Sequence, residues 1–201
     1  MMGMKTIVAS LTLLLLAACS DLPMIGGTTE APVDVTQLPS MRVTSFNVTV
    51  PETLTVSEDN SYDPRADIVW RGDPIGPRYP QVKAVMESGI SAGIKSLDGD
   101  VPVKLDVVLH RFHSQTQKVR YSFGGKYEVE YDLTVRDARS NAVIIPTYRV
   151  YTEADAPGGI EALAADQAGR TEKIDNINLI GHSIYRQLTG KDLEVDPVTP
   201  G

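Results

Sequence analysis

An α+β fold is what three features of this 201-residue chain predict. The expected form is a two-layer sandwich, a mainly antiparallel four-stranded sheet with two helices on one face. First, from Val119 to Val135 the odd positions are Val, Tyr, Phe, Gly, Tyr, Val, Tyr, Leu and Val, while the even ones are almost all polar. Such alternation marks a strand with one wet face. Second, two stretches carry apolar residues at spacings of three and four, the signature of an amphipathic helix. Third, clusters of Gly, Pro, Asp and Asn cut the remainder into short β-branched runs.

In chain order, "MRVTSFNVTV" from Met41 is the first strand, and 57–80 is a long loop rich in Asp, Pro and Gly. Val82, Val85, Met86, Ile90, Ile94 and Leu97 form the first helical stripe. Gly89 and Gly93 lie beside it, where they would allow close packing on the sheet. "VPVKLDVVLHRFHS" is the second strand. The third is the alternating segment 119–135, in which Gly124-Gly125 would form a bulge. "DARSNA" turns the chain, and "VIIPTYRVYTE" returns as a strand that Pro146 assigns to an edge. Ile174, Ile177, Ile180, Ile184 and Leu188 form the second helical stripe, with Gly190 as its stop. The order is therefore β-α-β-β-β-α, a single domain over 41–189 followed by a tail at 190–201.

The apolar run from Ile7 to Ala18 is twelve residues long and follows Lys5. A membrane-spanning helix needs about 20 apolar residues, so the run has the form of a signal peptide over 1–18. Leu16-Ala17-Ala18-Cys19 then resembles the lipobox of bacterial lipoproteins. The resemblance implies that Cys19, the only cysteine, receives a diacylglycerol, becomes the mature amino terminus and is acylated there. Several acyl chains hold a protein firmly to a bilayer without any spanning helix. Ser20 follows the cysteine, and Asp comes only at position 21. By the sorting rule of enteric lipoproteins, that implies the outer membrane, facing the periplasm. Residues 20–40 carry three prolines, two glycines and no periodicity, so 19–40 is a lipidated tether.

Cleavage after residue 18 removes Lys5 and leaves 18 basic against 26 acidic residues, a net charge of −8. That balance argues against nucleic acid and anionic lipid surfaces as partners, since both attract a basic face. With Cys19 consumed, the mature chain has no thiol for a disulfide, a thiolate metal site or a cysteine nucleophile. No cofactor is expected. The element order resembles that of small lipoproteins serving lipopolysaccharide assembly, envelope transport and peptidoglycan synthase activation. The resemblance implies a non-catalytic accessory role with a protein partner in the envelope.

Four segments offer chemistry. "GHSIY" at 181–185 resembles the nucleophile elbow of serine hydrolases, but it lacks the closing Gly and sits within a helical stripe; Ser183 is expected to be solvated. His110 and His113 stand three apart on a strand, which points them to opposite faces without a bulge. They are expected at the surface, with no metal. The acidic loop 58–67 fails the calcium-loop pattern at its sixth and twelfth positions. The loop "IVWRGDPIGPRYP" holds the only Trp, and Trp70, Arg71, Asp73 and Arg78 have the composition of an interaction hot spot. Sealing the core is the competing role for Trp70. The chain is therefore expected to be a membrane-tethered binding module. The alternatives are a carrier holding an apolar ligand between sheet and helices, and a hydrolase.

Overall fold

The computed structural model describes residues 40–193. Strands β1 (Met41–Thr49), β2 (Ile68–Val69), β3 (Val101–His113), β4 (Gly125–Asp137) and β5 (Val143–Ala156) build one sheet. Its order is β1-β3-β4-β5, with β2 also paired to β3. Helices α1 (Arg78–Ile94) and α4 (Glu172–Thr189) cover one face, while α2 (Gln117–Arg120) and α3 (Gly159–Gln167) are short connectors. The architecture is the expected α+β sandwich. β3, β4 and β5 form an antiparallel meander, whereas β1 runs parallel to β3. That parallel pairing follows from the intervening helix, because a strand-helix-strand crossover returns the chain in the same direction.

The alternation predicted for β4 holds. Tyr127, Val129, Tyr131, Leu133 and Val135 are all buried, and with Leu105, Leu109, Phe112, Val85, Met86, Ile90, Ile180 and Ile184 they occupy the space between sheet and helices. Each large apolar side chain buried this way contributes about 1.5–3 kcal/mol.

Three local expectations are corrected, and one helix is new. The strand does not begin at Val119: residues 117–120 are a helical turn whose Thr116 side chain accepts from the Val119 N–H at 3.2 Å. Gly124 ends that turn with φ of 79° and leads into β4, so it is a reversal and not a bulge within a strand. Helix α3 was carried by no apolar stripe long enough to predict it. Finally, Gly89 and Gly93 face α4 and not the sheet. A Cβ on Gly89 would lie 2.6 Å from Ile180 Cβ, and one on Gly93 would lie 2.3 Å from the Gly181 carbonyl oxygen.

α1 and α4 therefore run side by side and parallel, with their backbones close. Gly93→Ala gains up to about 1 kcal/mol of helix propensity. Forcing a methyl against a backbone carbonyl costs about 1–3 kcal/mol, because that oxygen has no rotamer to escape into. A net loss is expected, seen as a lower urea midpoint. A variant as stable as the wild type would mean that the two helices part freely.

The Cα register also fixes polarity. Met41 lies opposite Val101 at the start of β3, and α1 and α4 both run toward that end. Residues 40 and 193, the two ends of the described chain, therefore leave the domain at the same end. The turn at 121–124 and the start of α3 occupy the opposite one.

Candidate functional site

The loop singled out by its Trp turns inward. Trp70 is fully buried, stacks edge-on against Phe112 with centroids 5.5 Å apart, and donates its indole N–H to Asp73 at 2.9 Å. Asp73 also pairs with Lys173 of α4 at 2.7 Å. Arg71 donates to the carbonyls of Trp70 and Ser57, and Arg78, itself buried, pairs with Glu58 at 2.7 Å. The Arg78 bond holds the Glu58 carboxyl below its usual range. Of the two roles open to this loop, Trp70 takes the sealing one, and Arg71, Asp73 and Arg78 are turned to partners within the fold. Their polar groups brace the long loop against α1 and α4, and the Trp seals the core. Cys19 lies outside the described residues.

The other candidates separate in space. β3 carries a bulge at His110, since Leu109 faces Tyr131 and Arg111 faces Glu130. The bulge brings both histidines to the sheet face away from the helices, but each finds its own partner. His110 Nε2 meets Asp132 at 2.8 Å, and His113 is held between the Ala66 carbonyl and Arg111. Burial keeps the His113 imidazole below its usual value, which favours the neutral ring that this pairing uses. Among the described residues, no group of three or more His, Cys, Asp or Glu is placed to hold a metal ion. Ser183 is not solvated: it is buried on the other side of the sheet, hydrogen-bonded to the Tyr131 hydroxyl at 2.7 Å. The His110–Asp132 pair and the Ser183 hydroxyl are therefore separated by the sheet itself.

Two further features have partners that residue patterns did not reveal. One is a buried polar knot where β3 ends and α4 begins. Glu172, in the first turn of α4, accepts from the Ser114 hydroxyl, and Asn176 donates to Ser114 Oγ at 3.1 Å and to the Glu172 carbonyl at 2.9 Å. Burial pushes the Glu172 carboxyl up to about 7, against the opposing pull of Ser114 and Arg120. Arg120 pairs with Asp166 of α3 at 2.6 Å and donates to the Tyr127 hydroxyl at 3.2 Å. The knot ties α2, α3 and α4 to the sheet end. An open cavity of about 330 Å³ adjoins it, lined in part by Asp155, Arg170, Asp175 and His182. Its charges are of mixed sign.

The second feature is the sheet face that no described helix covers. Its side chains pair across strands: Arg136 with Asp106, Arg111 with Glu128, Arg149 with Glu130 and Asp132, and Lys126 with Glu153. Thr134 and Thr147 bond to one another at 2.7 Å. Burial works against the Asp132 charge, but the Arg149 and His110 bonds win and hold its carboxyl low. The result is a polar, charge-matched platform three strands wide. The signal for it was present in the even positions of the alternating segment; the pairing partners were not.

Over residues 41–198 the chain matches DUF6778, a family of unknown function, and it belongs to that family. Among curated proteins none matches. Solved structures resembling it include a candidate lipoprotein from Caulobacter crescentus CB15. That protein is 14% identical with a TM-score of 0.33, the match covering 72% of this chain and 88% of that one. An uncharacterized protein is 13% identical with a TM-score of 0.34, covering 72% and 93%. Neither likeness is close enough to carry a function across.

Proposed function

We propose that this chain is a periplasmic lipoprotein, anchored through Cys19 to the outer membrane, that serves an envelope assembly or transport complex as a binding module without chemistry of its own. The observation that carries the reading is Leu16-Ala17-Ala18-Cys19 behind a twelve-residue apolar run. Among the described residues no helix is long and apolar enough to cross a membrane, which fits an anchor made of acyl chains. The described domain favours binding over catalysis in a specific way. Its one histidine–carboxylate bond, His110 to Asp132, is shared with Arg149, and its elbow-like serine is spent on Tyr131. The open sheet face is the surface best suited to a protein partner.

Cys19→Ala is expected to abolish incorporation of labelled fatty acid and to move the protein from the membrane to the soluble fraction, or to leave it unprocessed. Equal labelling of wild type and variant would sink the lipoprotein reading. Crosslinking in native membranes, followed by affinity isolation, then identifies the partner.

A further inference from the structure

We infer that β5 is a self-pairing edge, through which two copies of this chain join their sheets into one. The inference is independent of the lipid anchor. It starts from an exposed strand edge, which offers a row of N–H and C=O groups to any matching strand. Natural edges are blunted by Pro, by bulges, by inward charges or by shortness. The first part of β5 is blunted. The register slips between Val143 and Tyr148, with Pro146 and Thr147 set against the single residue Thr134. From Tyr148 to Ala156 the one such device is charge: nine residues pair with Leu133 to Gly125 of β4 without interruption, none is Pro, Gly or Lys, and Arg149, Glu153 and Asp155 carry the charges. The opposite edge of the sheet differs, because β1 is broken by a bulge at Thr44.

The side chains along this stretch say which strand fits. Arg149, Tyr151 and Glu153 stand on the open face, opposite Asp132, Glu130 and Glu128 of β4. Tyr151 is 53% exposed, and the Arg149 and Glu153 side chains are 47% and 40% exposed. In an antiparallel pair, residues directly opposite share a face. Set a two-fold axis at Tyr151, and Tyr151 meets its own copy while Arg149 meets Glu153 of the other chain, twice by symmetry. Thr147 then faces Asp155. Opposite charges directly across a strand pair are favourable, and an isologous contact counts each of them twice. On the helix side the same register sets Tyr148 against Ala154 and Val150 against Thr152, large against small. Pairing would stop where the bulge at Pro146 begins. Arg149 and Glu153 have internal partners on β4, and both retain the exposure needed for one more bond.

The test uses the full chain carrying Cys19→Ser, which has no other thiol. Tyr151→Cys in that background should form a disulfide-linked dimer under mild oxidation. Directly opposed residues have Cα atoms about 4.5–5.5 Å apart, within the range a disulfide spans. Arg149→Cys should not, because its copy lies four residues along, about 13 Å away. A second measurement protects against misfolded variants. Arg149→Glu alone and Glu153→Arg alone each set like charges opposite one another, and each should raise the dimer dissociation constant roughly tenfold in sedimentation. Mixing the two variants sets every Glu against an Arg and should restore the dimer. A wild-type chain that sediments only as a monomer overturns the inference. So does disulfide formation equal at 149 and 151, or absent at 151, and so does a mixture no tighter than its components.

Discussion

Leu133→Ala is expected to lower the stability of the domain by about 2–5 kcal/mol, and Glu130→Ala by no more than about 1 kcal/mol. Both residues are on β4, three apart in sequence and on opposite faces of the sheet. Leu133 is fully buried in the layer between sheet and helices, directly across from Val107 of β3. The loss is therefore the transfer term plus a cavity term. Glu130 is partly exposed and its one ion pair is with Arg149, which keeps Asp132 as a second partner. Equilibrium unfolding in urea of the two variants gives the comparison. Equal losses would mean that both faces of the sheet are covered, and the uncovered platform would no longer be available as a binding surface.

The second large effect is on pH dependence and belongs to Glu172. In the unfolded chain its carboxyl titrates near 4.5, and in the fold burial pushes it up to about 7. Between those values the native state holds a proton that the unfolded chain has released. Stability therefore falls as pH rises from about 4.5 to about 7, and above that the full cost of a buried carboxylate is present, on the order of 3 kcal/mol. Arg120 of α2 and Arg71 of the long loop offset part of it. Glu172→Gln keeps an acceptor for the Ser114 hydroxyl and removes the ionisation. The variant is expected to match the wild type at about pH 4 and to exceed it at pH 8, with a flatter slope between. Measured melting temperatures across that range decide it: a variant less stable than the wild type at pH 8 would show that the charged form is the one the knot is built to hold.

Sequence pattern was enough for the parts of this molecule that repeat. Period two placed β4, period 3.6 placed α1 and α4, and Pro146 placed β5 at an edge, because each signal is written over many residues and points one way. The segment 117–125 misled because Val119, Tyr121 and Phe123 continue the period-two pattern by coincidence. What decides it is local: the Thr116 cap and the left-handed Gly124. Gly89 and Gly93 were assigned to a close approach but to the wrong neighbour, since spacing along one helix does not say what crosses it. At the candidate site the limit is sharper still. The composition of Trp70, Arg71, Asp73 and Arg78 suits an interface and an internal brace equally, and only the direction of the indole separates them. Ser114, Asn176 and Glu172 come from two elements 58 residues or more apart, and no short motif can announce such a knot.

The two ends of the described chain leave from one end of the sheet, and that has a mechanical meaning. A domain held at one end is a lever: any rotation about residue 40 is magnified at the other end, a β3 length away, about 43 Å at about 3.3 Å per residue. At that far end Tyr62 and Phe123 stack on one another beneath the Lys118 ammonium, and Ile160 stands almost fully exposed nearby. In a rotation about residue 40 these side chains sweep a wide arc, while the start of β1 scarcely moves. A label at Phe123 and one at Arg42 on the same tethered chain would then report motions of very different amplitude from a single rigid body.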